Sequence, residues 1–143
     1  MKFFGLFRRK KKVFFEEKTS SSSEELDLKK ICSDDPEVYE ALFDTMFLSP
    51  ESIEMTSDRA AEEAEEHMRK GDTVSAAINY RIAGGLAIYE GDVEKVKKYF
   101  SKYSELTGKK LKILEIPERA VKKAKEYYEA KTHYGRRDET IAG

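Results

Sequence analysis

The side chains best suited to metal or nucleophilic chemistry are few: one cysteine, Cys32, and two histidines, His67 and His133. A lone cysteine forms no internal disulfide, and these three residues fall short of the four donors of a structural zinc site. Cys32 therefore reads as a small, semi-buried apolar residue. Glu63 and His67 stand one helical turn apart within a glutamate run. Dinuclear carboxylate bundles need a Glu three residues from the His, on each of two helices. Ala64 precedes His67 at that distance and Ala130 precedes His133. The run Glu62, Glu63, Glu65, Glu66 thus reads as a solvated acidic face. No Ser/His/Asp or Cys/His grouping can be assembled. Gly108-Lys109 lacks the preceding glycine of a phosphate loop. The expectation is a non-enzymatic protein with no catalytic residue, no metal and no cofactor.

Two other groups of residues carry the functional signal. The first is the N-terminal tail. Phe3, Phe4, Leu6 and Phe7 precede the cations Arg8, Arg9, Lys10, Lys11 and Lys12, and Phe14 and Phe15 follow them. Exposed rings on a polar tail need something to bury them. At a membrane surface the rings sit among headgroups while the cations attract anionic lipid, each contributing about 1 kcal/mol. The tail is no signal peptide, because charge interrupts its apolar run, and Lys2 stands where myristoylation needs glycine. Two other readings stay open: RNA gripped through phosphate contacts and base stacking, or docking on a partner or on the chain's own acidic block. Phosphorylation of Thr19 or of Ser20 to Ser23, which link the tail to the rest, would add negative charge beside the cations. The second group is a candidate partner-binding acidic face: Asp34, Asp35, Glu62, Glu63 and Glu66.

Charge is segregated along the chain, although the formal total is only −1. Residues 1–18 carry seven Lys/Arg and two Glu, residues 24–66 three Lys/Arg and fifteen Asp/Glu, and residues 67–143 seventeen Lys/Arg and eleven Asp/Glu. Such blocks bear on association and steering. The acidic block has three candidate partners: the basic tail, the basic half of a second copy, or a third molecule.

The elements that must position these residues are helices. Charged residues make up 38% and apolar residues 39% of the 143, as in a helical protein with one modest core and charged outer faces. Trp and Gln are absent, Asn79 is the only Asn, and Lys and Glu abound. That bias resembles the composition of heat-adapted prokaryotic proteins, archaeal ones foremost. No apolar run approaches the ~20 residues of a membrane span, so the expected setting is cytoplasmic, with the tail at the inner membrane face.

Ser22-x-x-Glu25 has the form of a capping box opening a short helix to about Cys32. Asp35-Pro36 starts the next, with Val38, Tyr39, Leu42, Phe43, Met46 and Phe47 spaced as one apolar face to about Leu48. Ser49-Pro50-Glu51 opens one further turn. A helix capped by Thr56, Ser57 or Asp58 runs to Lys70, with Ala60, Ala61, Ala64 and Met68 inward. Gly71-Asp72 ends it and starts a helix to Glu90 that is apolar on most sides, hence expected to be the most buried. Gly84-Gly85 inside it implies a very close helix crossing, since each glycine costs about 1 kcal/mol relative to alanine. After Gly91-Asp92 comes a stripe of Val93, Val96, Tyr99, Phe100, Tyr103 and Leu106, then a weakly alternating connector over 109–116. Pro117 opens the last helix, with Tyr127, Tyr128 and Tyr134 inward, and Gly135 is expected to stop it.

Gly71-Asp72-x-x-x-Ala76-Ala77-x-x-Tyr80-x-x-Ala83 resembles the second half of a tetratricopeptide repeat, and Gly91-Asp92-Val93 with Tyr99-Phe100 is similar again. The two Gly-Asp turns lie 20 residues apart, whereas that family repeats every 34. Ala60, Glu63, Ala64 and His67 stand where the family's first helix carries large residues. The resemblance, to tetratricopeptide-like or microtubule-interacting-and-trafficking-like hairpins over residues 57–106, implies a protein–protein interaction module. The expected architecture is all-α: a compact bundle of about five to six antiparallel helices. The expected organisation is a basic-aromatic tail and Ser-rich linker (1–23), a helical-hairpin domain (24–134) and a C-terminal tail (135–143). The expected function is an adaptor for another protein, tethered to a membrane or other anionic surface by its tail. The alternative is an RNA- or ribosome-associated factor using the tail and the Lys-rich face of residues 95–125.

Overall fold

A computed structural model of the chain describes residue 24 and residues 27–142, with side chains through Thr132. The basic-aromatic residues Phe3 to Phe15 and the serine linker, with everything expected of them, lie outside the described residues. So does the side chain of Tyr134. Among the described residues there are helices and turns and no strand. The architecture is an all-α bundle.

Residues 27–31 are helical (α1) and bury Leu28, with Cys32 buried just after them. α2 spans Pro36–Phe43. Asp35 caps it, its Oδ1 accepting the Val38 N–H at 3.3 Å. The apolar spacing predicts a helix to about Leu48, but α2 ends at Phe43. Arg81 of a later helix donates to the Asp44 carbonyl at 2.8 Å and lies over the Phe47 ring. Its guanidinium satisfies a helix-end carbonyl from outside, and Phe47 turns in against Gly85. Phe43, expected on the inner face, is exposed. One 3-10 turn follows at Pro50–Ser52, where Ser49-Pro50-Glu51 predicts it.

α3 spans Ser57–Arg69, α4 Thr73–Glu90 and α5 Val93–Thr107. Thr56 Oγ1 accepts the Arg59 N–H at 3.2 Å and so is the cap of α3. Asp72 and Asp92 cap α4 and α5, accepting from Ser75 N–H at 3.0 Å and Lys95 N–H at 3.1 Å. Gly71 and Gly91 take φ of 78° and 76°, the left-handed geometry that lets a helix stop in one residue. The chain thus reverses twice within two residues each time, and α4 packs heavily against both α3 and α5. Alanines set the α3–α4 spacing: Ala60, Ala61 and Ala64 are buried opposite an α4 that buries Ala76, Ala83 and Ala87.

Two side-chain ties lock the end of this three-helix unit that carries the Gly91 turn. Ser57 gives its N–H and Oγ to the two carboxylate oxygens of Glu90, at 2.9 and 2.6 Å. Tyr99 Oη and Lys95 Nζ both donate to Asp58, at 2.8 and 3.0 Å. Hydrogen bonds from Tyr99 and Lys95 hold the Asp58 carboxyl below its ordinary pKa.

The connector after α5 holds a 3-10 turn at Lys112–Leu114 that buries Ile113. α6 spans Pro117–Ala142 and so runs past Gly135, where the sequence reading ends it. α6 packs on α2, α4 and α5, with Tyr127 buried and the Tyr128 hydroxyl donating to the Phe47 carbonyl.

Candidate functional site

The residues of the candidate acidic face fall into two settings. Asp34 and Asp35 are engaged within the chain. Lys123 Nζ lies 2.8 Å from Asp34 Oδ1 and also donates to the Ile31 carbonyl at 3.2 Å. Arg119 Nη2 reaches both Asp35 oxygens, at 2.6 and 2.8 Å, while Nη1 reaches Glu37 at 3.0 Å. Lys112 joins Glu37 at 3.0 Å. Hydrogen bonds from Lys123 and Arg119 hold the Asp34 and Asp35 carboxyls below their ordinary pKa, and Lys112 and then Arg119 do the same for Glu37. The acidic block thus meets the basic half of its own chain across the α2–α6 seam.

Glu62, Glu63 and Glu66 lie on the outer side of α3 with Glu65. Glu63 pairs with Arg59 at 3.8 Å, and Glu66 pairs with Arg69 and Lys70. Glu62 and Glu65 are exposed and form no ion pair among the described residues. The two acidic settings therefore differ: one is spent on a structural seam, the other faces outward.

Beside α3 lies an open cleft of about 380 Å³. Glu65, Met68 and Arg69 form its α3 wall, Lys102, Glu105 and Leu106 its α5 wall, and Tyr80 of α4 its floor. An acidic hollow along Glu62, Glu63 and Glu66 adjoins it through Glu65 and Arg69. Together these surfaces carry five carboxylates against Arg59, Arg69 and Lys102. Burial raises the Tyr80 hydroxyl pKa, and the charges of Glu65 and Glu105 raise it further.

Leu106 also walls a smaller cleft with Val74, Ile78 and Tyr103. Here the structure departs from the sequence reading. α4 is central, but Val74 and Ile78, one turn apart, are 71% and 55% exposed, and Met68, expected inward, is 41% exposed. Exposed apolar residues grouped beside a charged rim are the usual mark of an interaction surface. The Gly71 turn and the C-terminal end of α5 position them. Helical periodicity alone left Val74 and Ile78 indistinguishable from the buried side of α4, because α4 has almost no polar face to orient it.

Cys32 is buried, and burial pushes its thiol up to about 11, which leaves it inert. Among the described residues no group of three or more His, Cys, Asp or Glu is placed to hold a metal ion, and no helix is long and apolar enough to cross a membrane. Comparison of the chain with protein-family models, curated proteins and solved structures finds no match in any of the three.

Proposed function

We propose that this chain is a non-enzymatic adaptor: its helical hairpins bind another protein, and its basic-aromatic tail holds it at an anionic lipid surface. The observation that carries the first half is the exposed apolar group Met68, Val74 and Ile78 on an otherwise well-packed unit, beside the acidic side of α3. An amphipathic, basic segment of a partner fits such a surface, with apolar anchors in the clefts and cations along the glutamates. The causes of the shifted carboxyls support the non-enzymatic reading: Asp34, Asp35, Glu37 and Asp58 are lowered by ties within the fold, and Glu66, beside the cleft, by its surface pair with Arg69.

The tail reading rests on composition: five consecutive cations between two aromatic clusters. Vesicles containing phosphatidylserine should pellet the full-length chain. Lys10→Glu, Lys11→Glu and Lys12→Glu together should release it, because about 1 kcal/mol of attraction per cation is lost and repulsion added. Equal pelleting of both forms would remove the lipid half of the proposal.

The alternative is an RNA-associated factor. The Lys-rich face it needs is partly committed: Lys95, Lys112 and Lys123 neutralise Asp58, Glu37 and Asp34. Retention of the full chain on RNA, with a steep loss as salt rises, would put this alternative first.

A further inference from the structure

We propose that the cleft between α3 and α5 is the resting seat of the protein's own N-terminal tail, so that the tail is either folded back on the bundle or engaged with an anionic surface. Phe3, Phe4, Leu6 and Phe7 would seat against Met68, Tyr80 and Leu106, and Arg8 to Lys12 along Glu62, Glu65 and Glu66. This rests on the reading of the tail as an anionic-surface anchor and adds what holds it when no surface is present.

Three observations choose this occupant. The first is chemistry. The cleft offers an apolar base at Met68 and Leu106 with an excess of carboxylates beside it, and Glu62 and Glu65 have no ion pair among the described residues. A tail with apolar rings immediately followed by five cations matches that order of surfaces. Asp34 and Asp35, by contrast, are already neutralised by Lys123 and Arg119.

The second is reach. Glu24 lies 3.5 Å from Lys131, and Lys131 lines one hollow with Tyr89, so the chain leaves the bundle near the C-terminal end of α4. The cleft lies over the N-terminal half of α4, at Tyr80, so it is closer than the whole helix, whose 18 residues span about 27 Å. The twelve residues from Glu24 back to Lys12 extend to about 40 Å. The tether therefore reaches the cleft without disturbing the fold.

The third is concentration. A short tether that spans the distance holds its end at an effective concentration of about 1 mM. A contact of only millimolar affinity is then half occupied in cis, while the same contact between separate chains stays empty at micromolar protein. Release requires no more than a competing anionic surface, since the cations cannot serve both.

The test uses the full-length chain. Zero-length carbodiimide coupling is applied to an equimolar mixture of ¹⁴N- and ¹⁵N-labelled protein, followed by mass spectrometry. The expected result is amide links from Lys10, Lys11 or Lys12 to Glu62, Glu65 or Glu66 within single-isotope molecules, lost in Met68→Arg. That variant adds a cation to the cleft at an exposed position, and circular dichroism confirms that its helices are intact. Absence of these links overturns the proposal, and so do links of mixed isotope, which would mean a second copy. Phosphatidylserine vesicles give the second readout. If the seat is at least half occupied, Met68→Arg binds them at least about twofold more tightly than Phe43→Arg, which adds the same charge at an exposed position away from the cleft, and equal binding of the two overturns the proposal. A chain that shows the cross-links but binds no vesicle retains the cis seat and loses the surface reading.

Discussion

An alanine methyl at Gly84 would sit 2.6 Å from the ring carbons of Phe100, a side chain with no exposed surface. At Gly85 it would meet the Phe47 ring, with the Thr45 carbonyl 3.1 Å away. The glycine pair predicts a close approach, and one is there, but aromatic rings fill the space where a helix crossing is expected. Gly84→Ala gains about 1 kcal/mol of helix propensity and loses about 1–3 kcal/mol to overpacking. The expected result is a net loss of about 1 kcal/mol in urea unfolding. The double variant Gly84→Ala, Phe100→Leu should be more stable than the two single losses sum to, because the smaller side chain vacates the contested space. Strict additivity would mean that Phe100 is not what Gly84 accommodates. Residues of this kind divide by legibility. Caps such as Asp35, Asp72 and Asp92 could be read directly, because a cap is a local arrangement of side chain and backbone within three residues. Ser57–Glu90 and Asp58–Tyr99 join residues 33 and 41 positions apart, and nothing local announces them.

The same division holds for whole elements. The three-helix unit α3–α5 is legible because its turns are written in glycine and aspartate and its small face in alanine. α2 is legible at its start and not at its end, since the carbonyl of Asp44, just past its last residue, is satisfied by Arg81 from α4. The exposed strip Val74, Ile78 and Met68 was equally hidden: an apolar residue looks the same in sequence whether it is covered or not. At this scale the α2–α6 seam makes a pH prediction. In the folded protein Asp34, Asp35 and Glu37 titrate below their ordinary values. Depressed carboxyl pKa values stabilise the fold above the unfolded pKa of about 4, and that contribution fades as pH falls through the lower folded values. Arg119→Ala removes the main cause for Asp35 and one of two for Glu37. The expected outcome is lower stability at neutral pH than the unaltered chain, and a shallower loss between about pH 4 and pH 2. Parallel acid limbs for the two proteins, followed by urea midpoint against pH, would show that the seam contributes nothing to the linkage.

Taken whole, the molecule joins two kinds of contact. α3, α4 and α5 pack on sequence neighbours through buried apolar surface, which salt does not weaken. α1 and α2 are held to α6 in good part by charge over long sequence separations, with Arg119–Asp35 spanning 84 residues and Lys123–Ile31 spanning 92. The ion pairs of this seam, Arg119–Asp35 and Lys123–Asp34, each have one exposed partner and are open to screening by salt. The segregated charge of the sequence is therefore closed in part inside one chain, where Asp34, Asp35 and Glu37 meet Lys123, Arg119 and Lys112, while Glu62 and Glu65 on α3 face outward. Stability should then be tiered. Hydrogen exchange read by mass spectrometry should show residues 28–46 opening more readily than α4 and α5. Raising salt from about 0.05 M to about 1 M, where the Debye length falls to about 3 Å, should widen that gap by speeding exchange in 28–46 and leaving Ala83–Ile88 unchanged. Leu28, Val38, Ala41 and Leu42 are also buried, so the segment should loosen and not detach. If both regions respond to salt alike, the bundle is a single cooperative unit, and the α2–α6 charges are incidental to its closure.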